Sequence, residues 1–423
     1  SHRLRVNSRW NLNFICVFLF MIDPATQFLI QAEDIPKQPE DVRRWHGLQG
    51  AAFALSIHET ALAENRCILI IAEHSQSAQR LQQELAFFSG GAYPIDIFPD
   101  YETLIYDGFS PHQDILSDRL ALLSRAALDR AVVIVPAATL LLRLPPRAFL
   151  LGHNLRLQTG QRLDLSTLRR QLHASAYRAV DTVIEHGEFT VRGSVLDLFP
   201  MGAAHPFRVE LFDDEIESIR TFDPETQLST GITDAIDTLP AREFPLSKEG
   251  IRLFQDQWHE QFGGNPRDCR MYQDVAEGQA PAGIEYYLPL FYTETETLLN
   301  YLPADLLLIT EAIANPIQSY WETAKSRYES LRYDLERPIL PPEALLLAED
   351  ELMGLLKAFP RLDRLETFRK GARTFDTLPA PDLGIEDRAE DPFHRLRAHF
   401  ATQNARILIS AETPGRRELI DQL

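Results

Sequence analysis

The stretch Cys67-Ile68-Leu69-Ile70-Ile71-Ala72 decides the fold class of this chain. It is a short, continuous apolar run, which is typical of a strand buried on both faces of a sheet. Val132-Val133-Ile134-Val135 and Leu306-Leu307-Leu308-Ile309 repeat the pattern. Segments with helical spacing of apolar residues, such as 50–63, alternate with these runs. Strands that alternate with helices predict an α/β fold with a parallel sheet.

Length and composition indicate a globular protein of two to four domains. The chain has 423 residues, of which 45% are hydrophobic and 24% charged, and its formal net charge is −19. That charge argues against nucleic-acid binding by the whole surface, because phosphates require clustered Lys and Arg. The three cysteines, Cys16, Cys67 and Cys269, form neither a metal-binding spacing nor a disulfide framework. They predict a reducing, cytoplasmic location.

The N-terminus carries arginines at 3, 5 and 9, followed by an apolar run over 14–22. This pattern resembles a short signal peptide. The run is too short to span a bilayer, and Asp23-Pro24 interrupts it. We therefore expect no membrane association, treat 1–40 as an N-terminal extension, and predict Met21 as the true initiator.

An arginine-rich segment follows the first α/β region. Between Leu141 and Arg178 there are seven arginines, no lysine and one acid, Asp164. Leu165, Leu168 and Leu172 then form a helical stripe, and strands are predicted over 180–184, 188–198 and 207–212. The pattern predicts a small α+β domain inserted into the α/β domain.

The predicted domain organisation has four parts. The α/β domain comprises 41–143 and 231–340, and the inserted domain comprises 144–230. Prolines 338, 341 and 342 mark a boundary before a small α/β domain of unknown role over 341–423. Its predicted core strand, 406–412, echoes the run at 67–73.

The octet Gly47-Leu48-Gln49-Gly50-Ala51-Ala52-Phe53-Ala54 has the place and shape of a phosphate-binding loop. A working loop needs a Lys for the β/γ-phosphates and a Ser or Thr for Mg²⁺. Phe53 and Ala54 stand at those positions, and neither side chain can neutralise a phosphate or ligate a metal. The octet alone is equally compatible with a plain helix N-terminus.

Three of these motifs resemble UvrB, the damage-verifying protein of bacterial excision repair. Gly47-Leu48-Gln49-Gly50 resembles the start of its nucleotide loop. The run 306–311 resembles its second ATP motif, with Thr310-Glu311 in place of the Asp-Glu pair. The segment 188–200 resembles the strand of the UvrB domain that docks on UvrA.

Other segments resemble the N-terminal part of the bacterial transcription-repair coupling factors, the Mfd family. They include Asp100-Tyr101-Glu102-Thr103-Leu104, Glu185-His186-Gly187-Glu188 and Gly283-Ile284-Glu285-Tyr286-Tyr287. The resemblance runs from about residue 47 to the end. It implies a degenerate RecA/P-loop-like domain with an inserted UvrA-binding domain.

The resemblance implies a non-catalytic adaptor in transcription-coupled nucleotide excision repair that recruits UvrA to stalled RNA polymerase. The parent protein would be an ATP-dependent translocase on double-stranded DNA. ATP and Mg²⁺ would belong to its C-terminal motor, and this chain would hold no cofactor. Contacts with RNA polymerase and DNA would lie in missing C-terminal domains, and the parent's C-terminal domain would mask the UvrA-facing surface.

By resemblance, Arg178 and Arg192 match arginines that this family presents to UvrA. Arg offers a planar fork for carboxylates and is common among interface anchors. The alternative for Arg178 is a local ion pair with Asp181 or Glu188. Arg170 is a weaker candidate, because charges on a helix face are usually only solvated. Phe189 is either an apolar anchor or a core residue.

The degenerate nucleotide loop comprises Gly47, Gly50, Phe53, Ala54, Thr310 and Glu311. Glu311 lacks the Lys and Asp partners that would bring it a metal, and the histidines show no paired ligand spacing. We therefore predict no catalytic or metal-binding residue. Two other functions are considered: an ATPase lobe with an unusual nucleotide loop, and a DNA-binding module that uses the arginine-rich segment.

Overall fold

A computed structural model of the chain describes residues 29–125, 130–152, 154–379, 381–384 and 389–402. The signal-like run, the predicted start at Met21, and the predicted strand over 406–412 lie outside these residues. Among the described residues, no helix combines the length and the apolar character that crossing a bilayer would require.

The strands of the described residues are, in chain order, β1 Val42–His46, β2 Ile68–Ala72, β3 Ile95–Ile97, β4 Val132–Pro136, β5 Leu155–Gln158, β6 Arg178–Ala179, β7 Glu188–Arg192, β8 Val195–Leu198, β9 Phe207–Phe212, β10 Glu215–Phe222, β11 Ser229–Thr233, β12 Ala235–Thr238, β13 Leu307–Thr310, β14 Arg361–Leu365 and β15 Arg373–Thr374.

The α-helices of the described residues are α1 Ala52–Ala63, α2 Ser75–Ser89, α3 Gln113–Leu123, α4 Arg147–Gly152, α5 Leu165–Ala174, α6 Lys248–Gln261, α7 Arg270–Ala276, α8 Leu298–Tyr301, α9 Ala314–Leu331, α10 Pro342–Leu345, α11 Glu349–Leu356 and α12 His394–Thr402. The segment Ile284–Phe291 forms a 3₁₀ helix.

A seven-stranded parallel sheet forms the larger layer, in the order β15-β1-β14-β13-β2-β4-β3. Every residue of β2, β4 and β13 is buried. Helices and strands alternate along this part of the chain, so an isolated run such as Ile68–Ala72 is covered on both faces. The chain is thus a mixed α/β protein with a parallel sheet, as the apolar runs predict.

The parallel sheet extends beyond the boundary that was predicted at residue 341. Strands β14 and β15 flank β1 on its two sides, with Arg364 and Arg373 both in register with Trp45. Their segment therefore completes the large sheet instead of forming a separate one. At the other end, Ile30 and Ile35 of the predicted N-terminal extension are buried in the core of this sheet.

A six-stranded sheet, β11-β10-β9-β8-β7-β6, lies between β4 and β13 in sequence. All its pairs are antiparallel except β6 with β7. The predicted strand over 188–198 is in fact a hairpin, because Gly193, with φ of +61°, turns the chain between β7 and β8. The strand predicted over 180–184 is a loop, and the short β6 precedes it.

The chain enters and leaves this region through one two-stranded sheet. Strand β5 leads in and β12 leads out, and they pair antiparallel, with Leu157 in register with Ile236. Both of these side chains are buried. The inserted region is therefore closed at its base by backbone hydrogen bonds between its two ends.

Candidate functional site

The two arginines predicted to face a partner lie on the same face of the six-stranded sheet. Arg178 is in register with Glu188 on the neighbouring strand. Arg192 is four residues after Glu188 on β7, and side chains two or four residues apart on a strand share a face. Both arginines are exposed.

This face continues across the sheet as a row of paired residues. Thr190 pairs with Asp197, Asp197 with Arg208, Arg208 with Arg220, and Arg220 with Ile232. We call this side the arginine face, because it carries Arg178, Arg192, Arg208 and Arg220.

On the arginine face the acids lie deeper than the arginines that they bind. Arg208 donates to both carboxylate oxygens of Asp197, from Nε at 2.7 Å and from Nη2 at 2.9 Å. The Asp197 side chain is 7% exposed and that of Arg208 is 25% exposed. Arg220 lies 3.6 Å from Glu210, again with the arginine as the more exposed partner. The outermost charges are therefore positive, although the chain as a whole is acidic.

Glu188 fixes the loop beside Arg178. Its buried carboxylate accepts hydrogen bonds from the backbone N–H groups of Ile184 and Glu185, at 2.8 and 2.9 Å, and binds the Arg178 guanidinium. Arg178 also lies 3.3 Å from Glu185. The local ion pair considered from the sequence is thus present, yet 65% of the Arg178 side chain stays exposed. The guanidinium is held in place with one side open.

Arg192 differs from Arg178 in having no internal partner. Within the described residues, its guanidinium makes no hydrogen bond or ion pair. It lies at the end of β7, next to the turn at Gly193, where the backbone projects from the sheet. A carboxylate on another molecule would be its first strong partner.

Two other predicted partner-binding residues do not join this face. Phe189 is fully buried, and its ring packs edge-on against His173, with centroids 5.3 Å apart. It points to the opposite side of the sheet because it lies between Glu188 and Thr190 on β7. Arg170 lies on α5, the helix that carries His173 and covers that opposite side. Phe189 is therefore a core residue, and Arg170 is remote from Arg178 and Arg192.

The nucleotide-like loop is closed by the chain's own groups. Gly47 has φ of +84°, and a Cβ there would meet the Phe375 carbonyl oxygen at 2.4 Å. The Gln49 N–H donates to the Thr377 hydroxyl at 2.8 Å, and that hydroxyl donates to the Gly47 carbonyl at 2.6 Å. The segment after β15 thus occupies the concave side of the loop where a phosphate would need free N–H groups.

Arg364 fills the space beside this loop and was not found from the sequence. Its guanidinium stacks 4.5 Å from the centre of the Phe53 ring and donates to Glu311 at 2.9 Å. The second Glu311 oxygen accepts the Glu73 N–H at 2.9 Å. Both Glu311 oxygens are therefore engaged within the protein.

Two further residues of this degenerate nucleotide loop, Thr310 and Ala54, are also engaged or buried within the protein. Thr310 donates to Asp363 at 2.9 Å, and Ala54 is fully buried. Phe53 and Glu311 both contact the Arg364 side chain, whereas Thr310 is bound to the neighbouring Asp363. One feature of the sequence could have pointed to Arg364. It is the alternation of charged and apolar residues in Arg361-Leu362-Asp363-Arg364-Leu365.

A second internal arginine, Arg119, lies on α3. Arg119 is fully buried, pairs with Glu243 at 2.6 Å, and lies between the rings of Phe98 and Tyr101, 4.2 and 4.1 Å from their centres. Burial raises the pKa of Tyr101, whose hydroxyl donates to Glu243 at 2.6 Å. Burial also raises the pKa of the nearby Glu285. In the described part of the chain, no three His, Cys, Asp or Glu side chains are grouped to hold a metal ion.

Comparison with known proteins gives one family match and a set of relatives. The family model of the UvrB interaction domain matches residues 155–244. The chain is 40% identical over 398 residues to the transcription-repair-coupling factor of Haemophilus influenzae, which covers 92% of this chain and 34% of that protein. The Escherichia coli protein of the same name is 40% identical over 397 residues, with the same coverage. The Rickettsia bellii protein is 31% identical over 298 residues, which is 69% of this chain and 26% of that protein.

The chain thus spans about a third of the length of the Haemophilus influenzae and Escherichia coli proteins. The UvrB interaction match covers all strands of the six-stranded sheet, including the arginine face. From these matches, the chain belongs to the transcription-repair-coupling factor family and corresponds to the N-terminal region of its members.

Proposed function

We propose that this chain is a non-catalytic adaptor whose arginine face binds UvrA in transcription-coupled excision repair. The observation that carries the proposal is that Arg178 and Arg192 share one exposed face of the sheet within the UvrB interaction match. The partner that this face fits is a protein surface with clustered carboxylates.

The physical basis is preorganisation. Arg178 is held by Glu188, and Arg208 is held by both oxygens of Asp197. Such held side chains lose less conformational freedom on binding than mobile ones, and the Arg178 side chain is still 65% exposed. Arginine forks also bind carboxylates in a fixed geometry, which favours one orientation of the partner.

The remaining activities are assigned to parts of the parent protein beyond this chain. In this proposal the parent is an ATP-dependent DNA translocase that removes stalled RNA polymerase, and ATP and Mg²⁺ belong to its motor. The names of the relatives support a role that couples transcription to repair. The closed loop around Gly47, with Arg364 beside it, supports a chain that does not use nucleotide.

Binding of purified UvrA to the chain, measured by calorimetry, tests the adaptor function. Replacing Arg178 and Arg192 together by Ala should weaken binding by about 2–4 kcal/mol, because central interface arginines contribute on this scale. The matched control replaces Arg156 and Arg169 by Ala. Both are exposed arginines of the same region, and they lie on β5 and α5, outside the six-stranded sheet. Equal affinity for the two double variants, with both folded, would refute the assignment.

Titration with Mg²⁺-ATP tests the proposal that the chain does not use nucleotide. We expect no saturable binding at micromolar nucleotide, in the natural chain or in Arg364→Ala. The variant removes the guanidinium but leaves the missing Lys and Ser/Thr unreplaced. Saturable, Mg²⁺-dependent binding by the natural chain would support the ATPase alternative instead.

A further inference from the structure

The two edges of the six-stranded sheet differ in a way that points to strand addition. The β6 edge has two residues, one of them Arg178. The β11 edge has five residues, Ser229-Thr230-Gly231-Ile232-Thr233, without a charge or a proline, and its first four are exposed. Exposed sheet edges are usually protected by charge, proline or shortness, since their free backbone groups otherwise pair with another chain.

The hydrogen-bonding direction of β10 shows which β11 groups are free. The Phe222 N–H donates to Pro206 on the β9 side, and the Asp223 N–H donates to Leu228 on the β11 side. Directions alternate along a strand, so Thr221 points to β11 and to its register partner Gly231. Ile232, the next residue, therefore directs its N–H and C=O away from the sheet.

The β11 edge is continuous with the arginine face. Ile232 is in register with Arg220, which is in register with Arg208. The Ile232 side chain is 81% exposed and lies on the same face as both arginines. A strand added at β11 would thus place alternate side chains beside Ile232, with the Arg220 guanidinium on the next strand in.

We propose that β11 binds an extended segment of UvrA that carries carboxylate side chains, by adding it to the sheet as a seventh strand. This inference rests on the proposed function and specifies how the partner engages the arginine face. The backbone groups of Ile232 supply the pairing, and Arg220, on the strand next to β11, selects acidic side chains. The other arginines, Arg178 and Arg192, contact the folded body of the partner across the face.

Two substitutions at one position test the pairing. Ile232→Pro removes the outward N–H, and proline is tolerated at an edge where that N–H faces solvent. Ile232→Thr keeps the N–H and removes most of the apolar side chain. Strand addition predicts that Ile232→Pro weakens UvrA binding about tenfold or more and Ile232→Thr about threefold or less. Circular dichroism and Tm establish that both variants are folded.

Hydrogen exchange of the unmodified chain gives an independent measurement. On addition of UvrA, the Ile232 amide should become strongly protected, and the Gly231 amide, which already faces β10, should change little. If the Arg178/Arg192 variant loses UvrA but Ile232→Pro binds normally and the Ile232 amide stays unprotected, strand addition is wrong and the adaptor function stands. If the Arg178/Arg192 variant binds normally, the proposed function itself is wrong.

Discussion

The parallel and the antiparallel sheet both carry arginines at prominent positions, but they use them in opposite ways. In the parallel-sheet region, Arg364 and Arg119 direct their charge inward, onto Glu311 and Glu243. On the six-stranded sheet, Arg178 and Arg192 direct theirs outward. Arg119 and Arg364 expose 0% and 24% of their side chains, whereas Arg178 exposes 65%. The exposed fraction of the arginine side chain therefore distinguishes these structural charges from one that is available to a partner.

The largest loss of stability is expected when Arg119 is replaced. Arg119→Met should lower the free energy of unfolding by about 3–5 kcal/mol, because it leaves the buried Glu243 carboxylate without its cation. Urea unfolding followed by tryptophan fluorescence measures the change. Arg169→Met, at an exposed position on α5, is the control and should change stability by less than about 0.5 kcal/mol. A loss at Arg119 as small as that of the control would mean that the inward arginines are not structural.

The closed loop gives the next largest effect. Gly47→Ala should cost more than about 2 kcal/mol, since it adds a positive-φ penalty to a collision with the Phe375 carbonyl. Gly50→Ala should cost only about 1 kcal/mol, because Gly50 has φ of +52° and open space around its Cβ position. Thermal unfolding of the two variants side by side measures the difference. Equal costs would show that the segment carrying Phe375 does not close the loop.

The smallest effect concerns the helix behind the arginine face. Hydrogen bonds from Thr167 and Ser166 lower the pKa of Asp164, the N-cap of α5, from 3.8 to about 2. A lowered carboxyl pKa stabilises the fold above pH 3.8 and loses this contribution as the pH falls towards 2. Asp164→Ala should therefore lower Tm at pH 6, and the difference from the natural chain should narrow between pH 4 and pH 3.

Asp164→Asn is the control, because asparagine also caps helices. It should lower Tm less than Asp164→Ala does at pH 6, and the Tm difference between the two variants should not depend on pH, because neither alanine nor asparagine titrates. UvrA affinity at neutral pH should be the same in both variants, since α5 lies on the other side of the sheet. A Tm difference for Asp164→Ala that stays constant with pH would contradict the capping role.

The central parallel strands were predictable because continuous apolar runs in the local sequence indicate burial on both faces. Runs such as Val132-Val133-Ile134-Val135 are apolar at every position. Strand β14 was missed because Arg361, Asp363 and Arg364 interrupt its apolar pattern. Those charges are tolerated because partners from distant parts of the chain, such as Glu311, neutralise them. A single sequence does not show such pairings.

The site was predictable to a similar extent. The family resemblance predicts Arg178 and Arg192 as partner contacts, and strand alternation explains why they share a face. The loop over 180–185 was mistaken for a strand because Val180, Val183 and Ile184 resemble one. The Glu188 carboxylate, which binds two backbone N–H groups of that loop, determines its shape. No sequence pattern indicated that β11 is an exposed edge strand. Its proposed role depends on the neighbouring strands, which carry the arginine face.

The pairing of β5 with β12 has a consequence for how such proteins evolve. The strand that enters the inserted region, β5, and the strand that leaves it, β12, are adjacent and hydrogen-bonded to each other, with Leu157 in register with Ile236. Such a region can be exchanged between proteins as a cassette, because the host needs only two neighbouring attachment points. A recognition surface can in this way be passed on independently of the domain into which it is inserted.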